Sequence, residues 1–153
     1  MCETVLDRFS DGRLPVDNFR AALAQSYFEL GDRRTGNRLF HAWLKDSGLV
    51  DNNVYIVCGD RHWQYHAQHP DGIEEFSTGA LVDNNSRAGR LAGDPKSTDP
   101  DALIQQFYIQ GTPEEASGGF LHVSVSRDSG KPTATFSFYD DNGVLLYEEL
   151  KTP

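Results

Sequence analysis

Residues 59–66, Gly-Asp-Arg-His-Trp-Gln-Tyr-His, form the segment whose side-chain types and spacing could do chemistry. Asp60 and His62 are two residues apart, so on an extended backbone their side chains point to the same side. A carboxylate and an imidazole together suit a divalent or trivalent metal ion. Between them, Arg61 offers a planar donor fork that matches phosphate. The pattern predicts a metal and phosphate site, while the plainer interpretation is that Asp60 and His62 hydrogen-bond the end of a strand.

The same segment allows a second interpretation, a zinc site. His62, His66 and His69 are spaced i, i+4 and i+7, which would place them along one face of a helix. A helix is disfavoured here because Pro70 closes the segment and because its aromatic residues favour extended backbone. If the segment is extended, His66 either supports the metal ligands through hydrogen bonds or is simply exposed to solvent.

The elements that must position this segment begin with the run Val-Tyr-Ile-Val-Cys at residues 54–58. An unbroken apolar and β-branched run is typical of a strand buried on both faces, as in a sheet covered by helices. In open α/β sheets, ligands bind beyond the carboxyl ends of the strands. Residues 59–66 are therefore expected at such an edge. Glu74 and Glu75 follow on a short strand, where adjacent side chains face opposite sides and so do not form a carboxylate pair.

Hydrophobic periodicity predicts two helices before this strand and four strands after it, in the ranges 19–30 and 39–44, then 74–77, 120–125, 134–138 and 144–147. Gly31 and Gly48 are expected to end the helices, and Asp-Asn-Gly at 141–143 makes the turn of a C-terminal hairpin. Periodicity is lost over the polar stretch 83–118, which is predicted to be a long loop. The predicted fold class is α/β (α+β mixed), with helices packed on a mixed sheet and an antiparallel hairpin at the C-terminal end.

The composition excludes several classes of protein. With 14 basic and 23 acidic side chains, the 153-residue chain has a formal charge of −9 and lacks the basic stripe of a nucleic-acid binder. No apolar run approaches the roughly 20 residues of a membrane span, and the first residues do not have the pattern of a signal peptide. Two cysteines are too few for a disulfide framework. We therefore expect no nucleic-acid partner and no membrane span.

Several motifs along the chain resemble those of a known enzyme family. The motifs are similar to the carboxy-terminal part of PhoD-like (alkaline phosphatase D-type) metallophosphatases, and they lie at residues 57–66, 74–83, 85–87, 93–100, 117–120 and 138–140. The resemblance covers roughly residues 36–148. The string at 59–66 is long and ordered, which makes it more specific than Asp-x-His alone.

This resemblance implies a fold and an activity. The fold would be the C-terminal part of a metallophosphoesterase (calcineurin-like) sandwich, in which two mixed sheets are flanked by helices. The activity would be hydrolysis of small-molecule phosphomonoesters or phosphodiesters at a centre of divalent or trivalent metal ions, with iron and calcium. Asp60 and His62 match the carboxy-terminal Gly-Asp-x-His element of the family, which contributes metal ligands. Arg61 matches no ligand of the family, so its phosphate contact is a physical inference.

The chain departs from the family pattern in its N-terminal part. Family members are longer and carry their other ligands upstream, and nothing in residues 1–50 resembles those motifs. We therefore expect a polar lead-in at 1–14 and, at 15–153, the C-terminal part of a PhoD-like domain that is inactive without the N-terminal half as its partner. The alternative is a non-catalytic binding or partner module derived from that fold, whose bare sheet edge pairs with another chain. Family members are often exported, but no signal segment is visible, so no compartment is assigned.

Overall fold

The structure is a computed structural model that describes residues 25–27, 29–59, 61–127 and 130–152. The chain divides into two compact units, Met1–Asn52 and Asn53–Pro153, which are described separately. The lead-in expected at 1–14 and most of the first predicted helix lie outside the described residues. The end of that helix is described: residues 25–27 and 29 are helical, and Gly31 follows with a positive φ of 80°, as expected of a helix end.

The first unit contains helix α1, Arg33–Asp46, followed by a 3-10 turn at Val50–Asn52. Asp32 caps the helix, because its carboxylate accepts a hydrogen bond from the backbone N–H of Thr35 at 3.1 Å. Gly48, with a φ of 71°, follows the last turn. The second predicted helix is thus confirmed. It begins earlier than its apolar stripe suggests because the cap, rather than the stripe, sets the first turn.

The described part of the second unit contains seven strands in two sheets. Sheet A consists of β1 (Tyr55–Cys58), β2 (Gln64–Gln68), β3 (Glu74–Thr78) and β4 (Gln105–Ile109), in the order β1-β3-β2-β4. β1 and β3 run parallel, and the other neighbours run antiparallel. Sheet B is an antiparallel meander of β5 (Gly119–Ser126), β6 (Thr133–Asp140) and β7 (Leu145–Lys151). A 3-10 turn at Asp83–Asn85 lies between β3 and β4. The described chain is therefore mixed α/β, mostly sheet, with few helices.

Aromatic rings between the two sheets form the core of the second unit. Phe76 of β3 stacks on Phe136 of β6 with ring centroids 4.0 Å apart, and Phe138 is also fully buried. Tyr108 of β4 stacks on Tyr147 of β7 at 4.7 Å. Burying a Phe side chain stabilises the fold by about 1.5–3 kcal/mol, and an aromatic pair adds about 0.5–1.5 kcal/mol. These contacts hold one face of sheet A against one face of sheet B.

The prediction that β1 is buried on both faces is wrong. β1 lies at the edge of sheet A, where β3 is its only strand partner in the described part of the chain. Tyr55 packs on the core rings, but Val57 is 51% exposed. Val57 lines an open apolar groove of about 390 Å³ together with Val123 and Val125. The apolar run therefore belongs to an edge strand.

Two strands of sheet A, β2 and β4, are missing from the prediction. In β2 the residues that face the core are polar: Gln64 and His66 both have 0% exposure, so hydrophobic alternation could not reveal the strand. The register between β2 and β4 shifts, so the adjacent residues Phe107 and Tyr108 both contact core rings. This shift interrupts the alternation of inward and outward side chains along β4, which is the pattern that predicts a strand. The stretch 83–118 is therefore not one long loop, because β4 lies within it.

Candidate functional site

The candidate site lies at the edge of sheet A where β1 and β3 end and β2 begins. Because β1 and β3 are parallel, Cys58 and Ser77 pair at this edge. β2 is antiparallel to β3 and starts there with Gln64 opposite Thr78. Residues 59–63 therefore follow the carboxyl end of a strand, as the sequence predicts, and the segment that follows β3 leaves sheet A at the same edge.

His62 is held at this edge by the segment that follows β3. Its Nδ1 lies 2.6 Å from the backbone carbonyl oxygen of Asn85. A carbonyl oxygen can only accept, so Nδ1 carries the proton and donates it. In the neutral ring, Nε2 then carries the lone pair. Metal-binding histidines have this arrangement, since their second nitrogen usually donates to a carbonyl or a carboxylate.

Arg61 and Trp63 lie side by side at the same edge. The guanidinium carbon of Arg61 is 5.4 Å from the centroid of the Trp63 ring, a cation–π contact that restrains an exposed side chain. Trp63 also packs against Gly89, where an added Cβ would come within 2.5 Å of the ring. Arg61 forms no ion pair with any residue in the ranges the structure describes. Its donors are therefore available for an anion.

Asp60, the other predicted metal ligand, lies outside the described residues. The predicted pairing of Asp60 with His62 is therefore not described. Across residues 25–27, 29–59, 61–127 and 130–152, no three or more His, Cys, Asp or Glu side chains are placed to hold a metal ion together. A complete ligand set would need donors beyond the described ranges, Asp60 among them.

His66 is buried, not exposed. Its side chain has 0% exposure, and its ring stacks between Phe76 at 4.1 Å and Phe107 at 4.7 Å. Nε2 lies 2.8 Å from a carboxylate oxygen of Glu74, and Nδ1 lies 3.0 Å from the hydroxyl of Tyr147. Burial lowers the pKa of His66, although the nearby Glu74 carboxylate opposes the shift. These contacts link His66 to sheet B and not to the His62 edge.

The alternative zinc site on a helical face is wrong. Residues 64–68 form strand β2, so His62, His66 and His69 do not lie along one face of a helix. His66 faces the core, and Nε2 of His69 lies 3.3 Å from a carboxylate oxygen of Glu75. Extended backbone, favoured by the aromatic residues of the segment, prevails over the helical spacing of the three histidines.

The sequence does not predict the polar cluster on the other face of sheet A. Glu75 accepts hydrogen bonds from the Tyr65 hydroxyl, from Sγ of Cys58 at 3.2 Å and from Nε2 of His69 at 3.3 Å. Burial acts to raise the pKa of Glu75, but the hydrogen bonds, led by that of His69, outweigh it and lower the pKa to about 2. Burial raises the pKa of the Cys58 thiol, so the thiol stays protonated. Glu74 lies on the core face, which confirms the opposite orientation of the two glutamates.

Comparison of the chain with models of protein families, with curated proteins and with solved structures finds no match. Within the part of the chain that the structure describes, no helix has both the length and the apolar character needed to cross a membrane. Function is therefore inferred from the chemistry around His62 and from the motifs at residues 57–87.

Proposed function

We propose that this chain supplies the carboxy-terminal part of a PhoD-like metal-dependent phosphatase, a hydrolase of phosphomonoesters or phosphodiesters. The observation that carries the proposal is the 2.6 Å contact between Nδ1 of His62 and the carbonyl oxygen of Asn85, which leaves Nε2 ready to bind a metal. The position of His62 beyond the carboxyl end of β1 supports it. Two facing sheets are compatible with part of a metallophosphoesterase sandwich.

The donor types at this edge fit the two metals that the resemblance implies in different ways. Imidazole suits iron, so His62 would bind iron rather than calcium, which takes oxygen ligands. The carboxylate of Asp60 suits either ion. Two ligands do not hold a catalytic metal tightly, since even catalytic zinc takes three protein ligands. The proposal therefore includes further ligands, which the resemblance assigns to an N-terminal half.

In this proposal, the residues of the chain have separate tasks in hydrolysis. Asn85 fixes the tautomer and the orientation of His62. The Arg61 guanidinium donates hydrogen bonds to the phosphoryl oxygens and stabilises the charge that builds on them, and Trp63 restrains it. Bound metal would polarise the phosphoryl group and lower the pKa of a coordinated water.

Metal titration of the full chain tests this proposal. We expect binding of Fe²⁺ under anaerobic conditions, measured by isothermal titration calorimetry, to be at least about tenfold weaker in His62→Ala. The matched control is His122→Ala, which removes an exposed imidazole on β5 of sheet B. Equal affinities of His62→Ala and the unmodified chain for Fe²⁺ would contradict the assignment of His62.

A second candidate function, a non-catalytic partner module, is favoured by the edge position of β1. β1 pairs only with β3 among the described strands, and Val57 within β1 is half exposed. An open strand edge of this kind can accept a strand from another chain. Sedimentation analysis separates the two candidates. Concentration-dependent self-association without Fe²⁺ uptake favours the module, whereas Fe²⁺ uptake by a monomer favours the phosphatase.

A further inference from the structure

We propose that Arg61 and Arg87 together form a binding site for a dianionic phosphate group, supported by Trp63, and that this site makes the phosphomonoester the preferred substrate. The role in catalysis rests on the proposed phosphatase function. The binding site itself depends only on residues of this chain. Arg87 is not a candidate on sequence grounds, because its position beside Arg61 comes from the fold.

The backbone brings the two arginines to the same place. The N–H of Arg87 donates to the carbonyl oxygen of His62 at 2.9 Å, and Arg61 directly precedes His62 in the chain. The two arginines therefore flank one backbone segment at the edge of sheet A. Both side chains are exposed, so both guanidinium groups can reach a ligand from solvent.

The Trp63 ring packs between the Arg61 side chain and the backbone at Gly89. The Trp63 ring contacts the Arg61 guanidinium, 5.4 Å from its centroid, and Gly89 provides the surface against which the ring lies. The backbone N–H of Gly89 donates to the carbonyl oxygen of Gln110 at 2.7 Å, which ties this segment to the end of β4. Residues 87–89 thus run beside residues 62–63, so the backbone of Arg87 lies near the backbone of Arg61.

None of the ion pairs between described residues involves Arg61 or Arg87. Neither guanidinium forms an ion pair within the described ranges, whereas Arg90, three residues after Arg87, pairs with Asp94 at 3.2 Å. Asp83, on the same connecting segment, accepts the backbone N–H of Gly118 at 2.6 Å. Both arginines therefore lie at one edge of sheet A without an ion pair to any described residue. A charge of this kind attracts a multiply charged anion.

Two guanidinium forks favour a monoester over a diester. A terminal phosphate carries about −1.5 to −2 charge at neutral pH and three oxygens that accept hydrogen bonds. A diester phosphate has one negative charge and two unsubstituted oxygens, so one arginine can satisfy it. The second arginine therefore adds most to the binding of a terminal phosphate, through charge and through bidentate hydrogen bonds.

Calorimetric titration of the full chain with inorganic phosphate and with dimethyl phosphate tests the inference, both without metal and after loading with Fe²⁺. We expect inorganic phosphate to bind at least about tenfold more tightly than dimethyl phosphate. Arg61→Gln and Arg87→Gln should each weaken phosphate binding at least about fivefold, and Arg87→Lys should weaken it less than Arg87→Gln. Fluorescence of Trp63 in a Trp43→Phe background should report the same titration.

The matched control is Arg127→Gln, which removes the same charge from an exposed position after β5. Equal weakening by Arg127→Gln would show general charge attraction and would overturn the inference, as would the absence of phosphate binding with and without Fe²⁺. The outcomes separate the two proposals. Fe²⁺ binding that depends on His62, without phosphate binding, overturns the arginine site alone. Phosphate binding that depends on Arg61 and Arg87, with an Fe²⁺ affinity that His62→Ala leaves unchanged, overturns the assignment of His62 to the metal and leaves the arginine site in place.

Discussion

Nε2 of His66 lies 2.8 Å from Oε2 of Glu74, and the imidazole has no exposed surface. On its other side, Nδ1 lies 3.0 Å from the hydroxyl of Tyr147, which is itself 3.0 Å from Oε2 of Glu149. Lys151 bridges the two carboxylates at 2.8 Å and 2.9 Å. This chain of polar groups passes from β2 and β3 of sheet A to β7 of sheet B. It therefore ties the two sheets together, with the imidazole of His66 inside the aromatic core and the charged groups at its margin.

The protonation of His66 decides how this network is connected. The hydroxyl of Tyr147 has one proton, so it serves either Nδ1 of His66 or Glu149. With neutral His66, Nε2–H donates to Glu74 and Tyr147 can donate to Nδ1. With protonated His66, Nδ1–H donates to Tyr147, whose proton then turns to Glu149. The hydrogen bonds of the network can form with either the neutral or the protonated imidazole, but burial of the ring disfavours the protonated form.

We predict that the second unit loses stability as pH falls below about 6.5 because of His66. Burial lowers the pKa of folded His66 from 6.5, so the unfolded chain binds the proton first and unfolding is favoured as pH falls through this window. Urea unfolding over a pH series from about 7.5 to about 5.5 measures the slope. In His66→Gln the slope should become smaller, while the exposed His122→Gln control retains it. A slope unchanged by His66→Gln would contradict the prediction.

Elements with an apolar face could be predicted from sequence, and elements with a polar face toward the core could not. The hairpin of β6 and β7 and the helix ends at Gly31 and Gly48 follow from alternation and from turn residues. β2 is hidden because Gln64 and His66 point inward, where Gln64 donates to the carbonyl oxygen of Tyr139 at 3.0 Å. Such burial becomes favourable only once the partner on the other sheet is in place.

The same limit applies to the candidate site. The residue types and the strand end place His62 at an edge of a sheet, but the contact of His62 with Asn85 joins residues 23 positions apart. The backbone of Arg87 meets that of His62 through the path of the segment after β3, which local spacing does not specify. Tyr65 and Glu75 become neighbours only through the register of β2 with β3.

We predict that Glu75→Gln destabilises the second unit by about 2 kcal/mol at neutral pH. The Glu75 carboxylate accepts from three donors, and the amide group of Gln would present its own N–H groups to some of them. Chemical unfolding compared with Glu114→Gln, an exposed carboxylate, measures the difference. Equal stabilities of the two variants would show that the Glu75 cluster contributes little.

We predict that Glu75 makes the stability of the second unit depend on pH in a more acidic range than His66 does. The pKa of Glu75 is about 2 in the folded chain and 4.5 without the fold, so its contribution is present above pH 4.5 and is lost as pH falls toward 2. In Glu75→Gln the loss of stability over this range should be smaller than in the unmodified chain. Acid unfolding curves that coincide would contradict the assignment of the low pKa to Glu75.

We predict that Gly89→Ala lowers stability by about 1–3 kcal/mol and also weakens phosphate binding. The added Cβ would lie 2.5 Å from the Trp63 ring, which must move and release Arg61 from its position. Gly59→Ala is the control: among the described residues other than its chain neighbours, the nearest atom to the added Cβ is Oγ1 of Thr78 at 3.9 Å. Thermal unfolding and the Trp63 fluorescence maximum, in a Trp43→Phe background, report both effects. If Gly89→Ala and Gly59→Ala have the same unfolding temperature and the same Trp63 fluorescence maximum, the position of Trp63 does not depend on Gly89.

The full chain alone is expected to hydrolyse p-nitrophenyl phosphate at a very low rate, with or without added iron and calcium. The reason is ligand number: in the proposed metal site, His62 and Asp60 would supply only two donors, and the described ranges hold no cluster of three or more metal-binding side chains. Adding a chain that carries the remaining ligands of the proposed enzyme should raise the rate, and His62→Ala should abolish the increase while His122→Ala preserves it. Rapid turnover by the chain alone, lost in His62→Ala, would mean that a complete metal site forms within these 153 residues, with its other ligands among those outside the described ranges.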